Sequence, residues 1–182
     1  MTEAESQQLA QLNEDLVNHD DPTQYLTFSV LGRKMAIGIL DVEEIIEVSD
    51  ITRVPMSQQS IRGVINLRGN VVPVIDLAVR LGEEKQAMQL TPRTSIVLVA
   101  TQAAGENLIM GMLVDEVNEI LEIPEDAIQK TPDFGTDINA RFIRQMGRVQ
   151  DDFVVLLNLE SVLSTEELAM HTKDNGEAFR LQ

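Results

Sequence analysis

Ile61-Arg62-Gly63-Val64-Ile65-Asn66-Leu67-Arg68-Gly69-Asn70-Val71-Val72-Pro73-Val74-Ile75-Asp76-Leu77 decides the fold. Two apolar runs of strand length, Val64–Leu67 and Val71–Ile75, flank Arg68-Gly69-Asn70, and that order spells a β-hairpin. Gly69 is free to take the positive φ a tight turn requires. Pro73 has no amide hydrogen to donate, which predicts that its strand is an edge strand or is bulged there. A short helical pattern then runs from Leu77 to Leu81 and is stopped by Gly82.

The same grammar extends in both directions. Upstream, Tyr25–Leu31, Gly32-Arg33-Lys34 and Met35–Leu40 form a second hairpin signature. Downstream, Thr94–Ala100, Leu108–Val114, Glu119–Ile123 and Phe153–Leu157 are β-branched runs of strand length, and Leu159–Leu168 is the other helical pattern. Two echoes link the parts. Glu44-Ile45-Ile46-Glu47-Val48 returns as Glu119-Ile120-Leu121-Glu122-Ile123, and Val72-Pro73-Val74-Ile75-Asp76-Leu77 returns as Val154-Val155-Leu156-Leu157-Asn158-Leu159, in the same order. A pseudo-repeat follows, with two small β-barrels expected on one core.

Composition removes several function classes. Of 182 residues 43% are apolar, enough for a sizeable core, and none is cysteine, so disulfides and thiolate chemistry are excluded. Thirty acidic against 14 basic residues give a net charge of −16, which repels nucleic acid and anionic lipid surfaces. Met1–Asp21 is acidic, without a basic stretch followed by an apolar one, and no run reaches the roughly 20 apolar residues of a membrane span. The expected address is the cytoplasm, and residues 1–23 are expected to be an acidic, flexible leader.

Catalytic parts are missing from the sequence. His19 and His171 lie in the polar end segments, away from any apolar strand that would orient a general base. No Gly-x-Ser-x-Gly elbow, Gly-x-x-x-x-Gly-Lys-Ser/Thr loop or Gly-x-Gly-x-x-Gly turn occurs. The carboxylates Asp41, Glu43, Glu44 and Glu47, or Asp115, Glu116, Glu119 and Glu122, lack calcium-loop spacing, and strand alternation turns Glu44 and Glu47 to opposite faces. A rim of solvated charge is expected in preference to a metal cage. With 3% aromatic residues a carbohydrate platform is also disfavoured. No cofactor is expected, and a carboxylate-dependent metal enzyme is the rival from a different class.

The hallmark stretch Ile61–Leu77 strongly resembles that of the chemotaxis coupling protein (CheW-like domain) family. Tyr25–Phe28, Ile37-Gly38-Ile39 leading to Val42–Ile45, and Gly111–Val117 resemble the same family in the same order. The resemblance covers about Gln24 to Leu168, leaving 169–182 as a tail. It implies a mostly β fold of two five-stranded SH3-like barrels packed on a shared hydrophobic core, with few short helices. It also implies a non-enzymatic adaptor between the cytoplasmic tip of methyl-accepting chemoreceptors and the regulatory domain of the histidine kinase CheA. An adaptor of another chemosensory pathway remains open, and the fused form with a receiver domain would need a longer chain.

Carried over residue by residue, the resemblance assigns a receptor-facing groove to Val42, Glu44, Gly63, Arg68, Gly69, Val117 and Ile120. An edge strand around Thr94, Ser95 and Ile96 resembles the family's kinase-facing region, with Ser95 where an apolar residue is expected. The residues themselves leave alternatives. Arg68 at a hairpin tip is either solvated or a recognition group that the resemblance pairs with Glu44. Val42, Val117 and Ile120 are either core or interface, and turn geometry alone accounts for Gly63 and Gly69.

Overall fold

The hairpins read from the sequence fall into two sheets. A computed structural model describes residues 3–18, 21–55, 57–82, 88–103, 105–131 and 138–169. His19, His171 and the tail beyond 169 lie outside the described residues. The strands are β1 (Gln24–Val30), β2 (Arg33–Gly38), β3 (Val42–Glu47), β4 (Ile61–Leu67), β5 (Asn70–Asp76), β6 (Ser95–Ala103), β7 (Glu106–Val114), β8 (Glu116–Glu122), β9 (Ile128–Gln129), β10 (Ile143–Val149) and β11 (Asp152–Leu157). The helices are α1 (Glu3–Asn18), α2 (Leu77–Arg80), α3 (Leu159–Val162) and α4 (Thr165–Ala169).

One sheet runs β8-β1-β2-β11-β10-β9 and the other β3-β6-β7-β5-β4. Position by position β8 matches β3, β1 matches β6, β2 matches β7, β11 matches β5 and β10 matches β4, with β9 as an extra short strand. The fold is mostly β, and the pseudo-repeat is real, but the sequence halves are not the sheets. Each half lends its first hairpin to strands of the other half, through the parallel pairs β2–β11 and β5–β7. Parallel neighbours cannot be joined by a tight turn, so these ladders tie distant parts of the chain together. The register slips that mark β-bulges are matched too. They lie between Val42 and Glu44 on β3 and opposite Leu26/Phe28 in the β1–β8 pair, then between Ile61 and Gly63 on β4 and between Ile143 and Gln145 on β10.

Strand alternation builds the core. On β2, Met35 and Ile37 enter the main cluster, while Ala36 faces a smaller one with Ile123, Val154 and Leu156. The main cluster also takes Leu26 and Phe28 from β1 and Val97, Val99, Met112 and Val114 from the other sheet, so both sheets share it. Burying a side chain of this size contributes about 1.5–3 kcal/mol.

Three expectations are corrected. Pro73 is not on an edge strand, because β5 lies between β7 and β4. Counting back from the closing pair Leu67–Asn70, the Pro73–Val64 pair is a non-hydrogen-bonded one, and the β7 ladder starts only at Val74, so no partner needs the missing proton. The Leu159–Leu168 pattern is two helices instead of one. The Arg80 side chain donates to the Ser161 and Val162 carbonyls at 2.9 and 2.8 Å, which removes acceptors that a continuing helix would use. Finally, the acidic leader is helical from Glu3 to Asn18. Leu9 and Leu12 are buried and Leu16 packs against the main cluster, three leucines on one helix face.

Sequence echoes also reappear as caps. Asp76 accepts from the Val79 amide at the start of α2, and Asn158 accepts from the Ser161 amide at the start of α3. Asp76 is buried and works further: its Oδ2 accepts from the Met88 amide at 2.6 Å and from Arg62 Nη1 at 3.3 Å, while Arg62 also donates to the Met88 carbonyl at 2.7 Å. The two ends of the hallmark stretch are thereby fastened to each other.

At the junction of α2, α3 and α4, Arg80 and Arg141 both stack on Phe142 and both bind the Glu167 carboxylate. The hydrogen bond from buried Arg80, reinforced by Arg141, outweighs burial and holds Glu167 below its ordinary pKa of 4.5. A depressed carboxyl stabilises the fold above its unfolded pKa and loses that contribution as pH falls through the folded value. Urea unfolding from about pH 6 to about pH 3 is therefore expected to show a steeper acid loss in wild type than in Glu167→Gln, which lacks the titrating group.

Candidate functional site

The turn from Leu67 to Asn70 holds two consecutive residues at positive φ, Arg68 at 52° and Gly69 at 86°, the signature of a type I′ hairpin. Glycine adopts this freely, but an arginine there costs about 1 kcal/mol or more, and asparagine is the usual occupant. The Gly69 amide is satisfied by Asn66 Oδ1 at 2.9 Å. Arg68 Nη2 reaches across to β3 and donates to both oxygens of Glu44, at 2.6 and 2.8 Å. Its side chain remains 67% exposed against 29% for Glu44. An ion pair so open to water contributes about 0–1 kcal/mol, which at best offsets the backbone cost.

Glu44 sits on β3, the edge of its sheet, just after the bulge at Val42/Glu44. Val42 is half-buried against the main cluster. Val117 and Ile120 lie on β8, the matching edge of the other sheet, with Val117 only 6% exposed and Ile120 half-buried. The bulge in the β1–β8 pair frees backbone groups of Glu119, and the hydroxyl of buried Thr27 satisfies both, donating to the carbonyl at 2.7 Å and accepting from the amide at 3.1 Å. The apolar members of the expected groove are thus partly core, and β3 and β8 carry them as the equivalent edges of the two sheets.

Gly63 belongs to neither edge. It is buried in the β4 bulge at φ 153°, and a Cβ there would stand 2.3 Å from the Thr52 carbonyl oxygen and 2.8 Å from Ile51 Cγ2. Close backbone approach, fixed by the Thr52–Val64 bridge, accounts for this glycine.

The edge strand expected around Thr94, Ser95 and Ile96 is corrected. β6 is internal, with Ser95 opposite Glu47 of β3 on one side and Val114 of β7 on the other. Thr94 and Ser95 are each 2% exposed and Ile96 is fully buried. An amino-acid run with this much β-branching reads alike in an edge or a central strand, because its neighbours are set by remote pairing.

Sequence reasoning passed over the contribution of α1. Asn13 donates from Nδ2 to the Ile45 carbonyl and accepts at Oδ1 from the Ile45 amide, both at 2.8 Å, completing the edge of β3 as another strand would. Ser6 donates to Glu47 on β3 at 2.6 Å, and Gln8 makes a long 3.5 Å contact with the Asn118 carbonyl on β8. Beside the helix is a small cleft of about 210 Å³, lined by Glu5, Leu9, Leu12, Arg93, Ser95 and Val117 among others. The i, i+3, i+7 spacing of Leu9, Leu12 and Leu16 was the available signal.

The mostly β, two-sheet fold agrees with the comparisons. A family model for the CheW-like domain matches residues 24–167. The chain belongs to the CheW-like domain family. It is 33% identical over 144 residues to chemotaxis protein CheW of Rhizobium meliloti, and 32% over 144 residues to the probable chemotaxis protein CheW of Rhizobium etli. Both alignments cover 79% of this chain and 89% of the relative. The crystal structure of scaffolding protein TtCheW from Thermoanaerobacter tengcongensis matches with a TM-score of 0.68 at 30% identity, over 79% of this chain and 89% of that one. The CheW-like match begins at Gln24, so α1 precedes it.

Gly63 in the β4 bulge and Arg68 in the hairpin turn separate folding from surface roles. Gly63→Ala is expected to destabilise by about 3 kcal/mol in urea unfolding, since backbone must move to admit the methyl group. Arg68→Asn is expected to leave the midpoint unchanged or to raise stability by up to about 1 kcal/mol, because Asn-Gly suits a type I′ turn.

Proposed function

We propose that this chain is a non-enzymatic, cytoplasmic adaptor that links the cytoplasmic tip of methyl-accepting chemoreceptors to the regulatory domain of the histidine kinase CheA. Receptor recognition is assigned to the edge of β3, with Val42 and Glu44, the Arg68-Gly69 turn, and the edge of β8, with Val117 and Ile120. The observation that carries this reading is Arg68. The residue occupies a left-handed backbone position where asparagine or glycine is cheaper, and its ion pair is too exposed to repay the strain. A fold has little reason to keep arginine there. A partner does, because Glu44 fixes the guanidinium in place while leaving most of it open to polar groups of another protein.

For the kinase, the segment around Thr94, Ser95 and Ile96 keeps its side chains buried within β6, so a contact there would be made by the exposed residues that flank it. Recruitment to receptor arrays follows from the two contacts together. For the adaptor to transmit a signal, its contacts must differ between the active and inactive states of its partners, since equal binding to both shifts no equilibrium.

Purified chain titrated with its cognate CheA regulatory domain is expected to bind saturably, and receptor-dependent kinase activity is expected to require it. Arg68→Asn, folded as well as wild type, is expected to lose about tenfold or more in receptor affinity while keeping kinase-domain binding. Equal receptor binding by the two proteins would remove Arg68 from the interface, and kinase control that persists without the chain would sink the adaptor reading.

A further inference from the structure

The helix α1 lies over the two edges to which receptor recognition is assigned. Its residues run along β3 in the opposite sense, Asn13 at Ile45 and Ser6 at Glu47, so its contacts flank Ile46 and begin next to Glu44. On its other side Gln8 reaches Asn118, between Val117 and Glu119 of β8. A helix is about 10 Å wide with its side chains, so α1, held on β3 and reaching β8 through Gln8, occupies the space between the edges except for the small cleft beside Val117. Leu9 and Leu12 line the same cleft as Val117. The groove is therefore shaped for a helix, and this chain brings one of its own.

How tightly α1 is held follows from what it buries. Of its sixteen residues only Leu9 and Leu12 are buried, and its polar contacts to the edges come through Ser6, Gln8 and Asn13. Glu5 lies 3.9 Å from Arg93, which is itself 67% exposed and also 3.8 Å from Glu116. A helix fixed by two buried leucines, a partly buried third and a few exposed or part-buried polar contacts is in the class of elements that open locally without global unfolding. The CheW-like match starts after it, at Gln24, so the sheets that make up the family fold do not include it.

We propose that α1 is a built-in competitor, seated in the groove between β3 and β8 and displaced by the helical tip of a receptor. The groove takes one helix at a time. When α1 is docked, Ile45's backbone is occupied by Asn13 and the route to Val117 is covered; when it leaves, both become available to an incoming helix of the same face, leucines spaced three or four apart beside a side-chain amide. Apparent receptor affinity is then the intrinsic affinity reduced by the fraction of chains with the groove open. This inference rests on the receptor reading of the groove.

The test uses full-length chain and the helical cytoplasmic hairpin of a methyl-accepting receptor as the probe. Asn13→Ala removes both hydrogen bonds to Ile45 without touching the core, and is expected to tighten hairpin binding by about tenfold. The opposite variant exploits the absence of native cysteine: Ser6→Cys with Glu47→Cys, bridged by a short bifunctional thiol reagent, pins α1 down and is expected to weaken binding at least tenfold relative to the same protein unbridged. Loss of helix α1 from the groove in Asn13→Ala is checked by faster exchange of the amides within α1 itself, around Leu9 and Leu12, relative to wild type. If wild type, Asn13→Ala and the bridged protein bind the hairpin alike while Arg68→Asn weakens all three, α1 is no competitor and the receptor reading stands. If none of them binds the hairpin, the receptor reading fails and this inference fails with it.

Discussion

Everything in this structure hangs on the parallel pairing of β2 with β11 and of β5 with β7. Each ladder joins strands more than a hundred or some tens of residues apart, and neither can be made by a local turn. Because each half of the chain gives its first hairpin to the other half, neither sheet can form from one half alone. The shared cluster of Leu26, Phe28, Met35, Val97, Val99 and Met112 is the energetic counterpart of that exchange. It explains why two sheets of such modest size hold together without a disulfide.

The same exchange decides where the edges fall. β3 and β8 are third strands of their respective halves, each paired on one side only with a hairpin strand of the other half. Bulges at equivalent points bend both edges, and exposed backbone there must be covered, satisfied or used. The chain does each in a different place. Thr27 satisfies Glu119 from within, Asn13 covers Ile45 from outside, and Glu44 is left to orient Arg68. A bulged, partly apolar edge flanked by fixed charge is a surface suited to adding another chain, and the helix α1 meets it with the groups a partner would need.

Pseudo-symmetry is broken at the turns. Arg68 at φ 52° has Gln150 at φ 57° as its counterpart between β10 and β11, but Gly69 at φ 86° is answered by Asp151, which is not at positive φ, so the two turns differ in backbone as well as in side chain. The structure thus offers one arginine-tipped turn and one that carries an acidic residue, Asp151, and a partner that reads the guanidinium has a single orientation in which to dock.

By itself the sequence determined the hairpins, the Leu77–Leu81 helix, the pseudo-repeat and the tip position of Arg68. These follow from local rules: period-two alternation, Gly69 at a positive φ, and paired Asx residues ahead of the two short helices. It also carried the leucine spacing of α1, which was masked by the density of carboxylates around it. Only the tertiary structure decided which strands are edges. Pro73 sits in an interior strand, Thr94–Ile96 lie buried within β6, and β10, with Arg144, Gln145 and Arg148 interrupting its apolar residues, has too weak a pattern to be read as a strand at all. The physical reason is that alternation reports which faces a strand buries, whereas edge or centre depends on hydrogen-bond partners from the other half of the chain. That information resides in the long-range ladders and in no single stretch of residues.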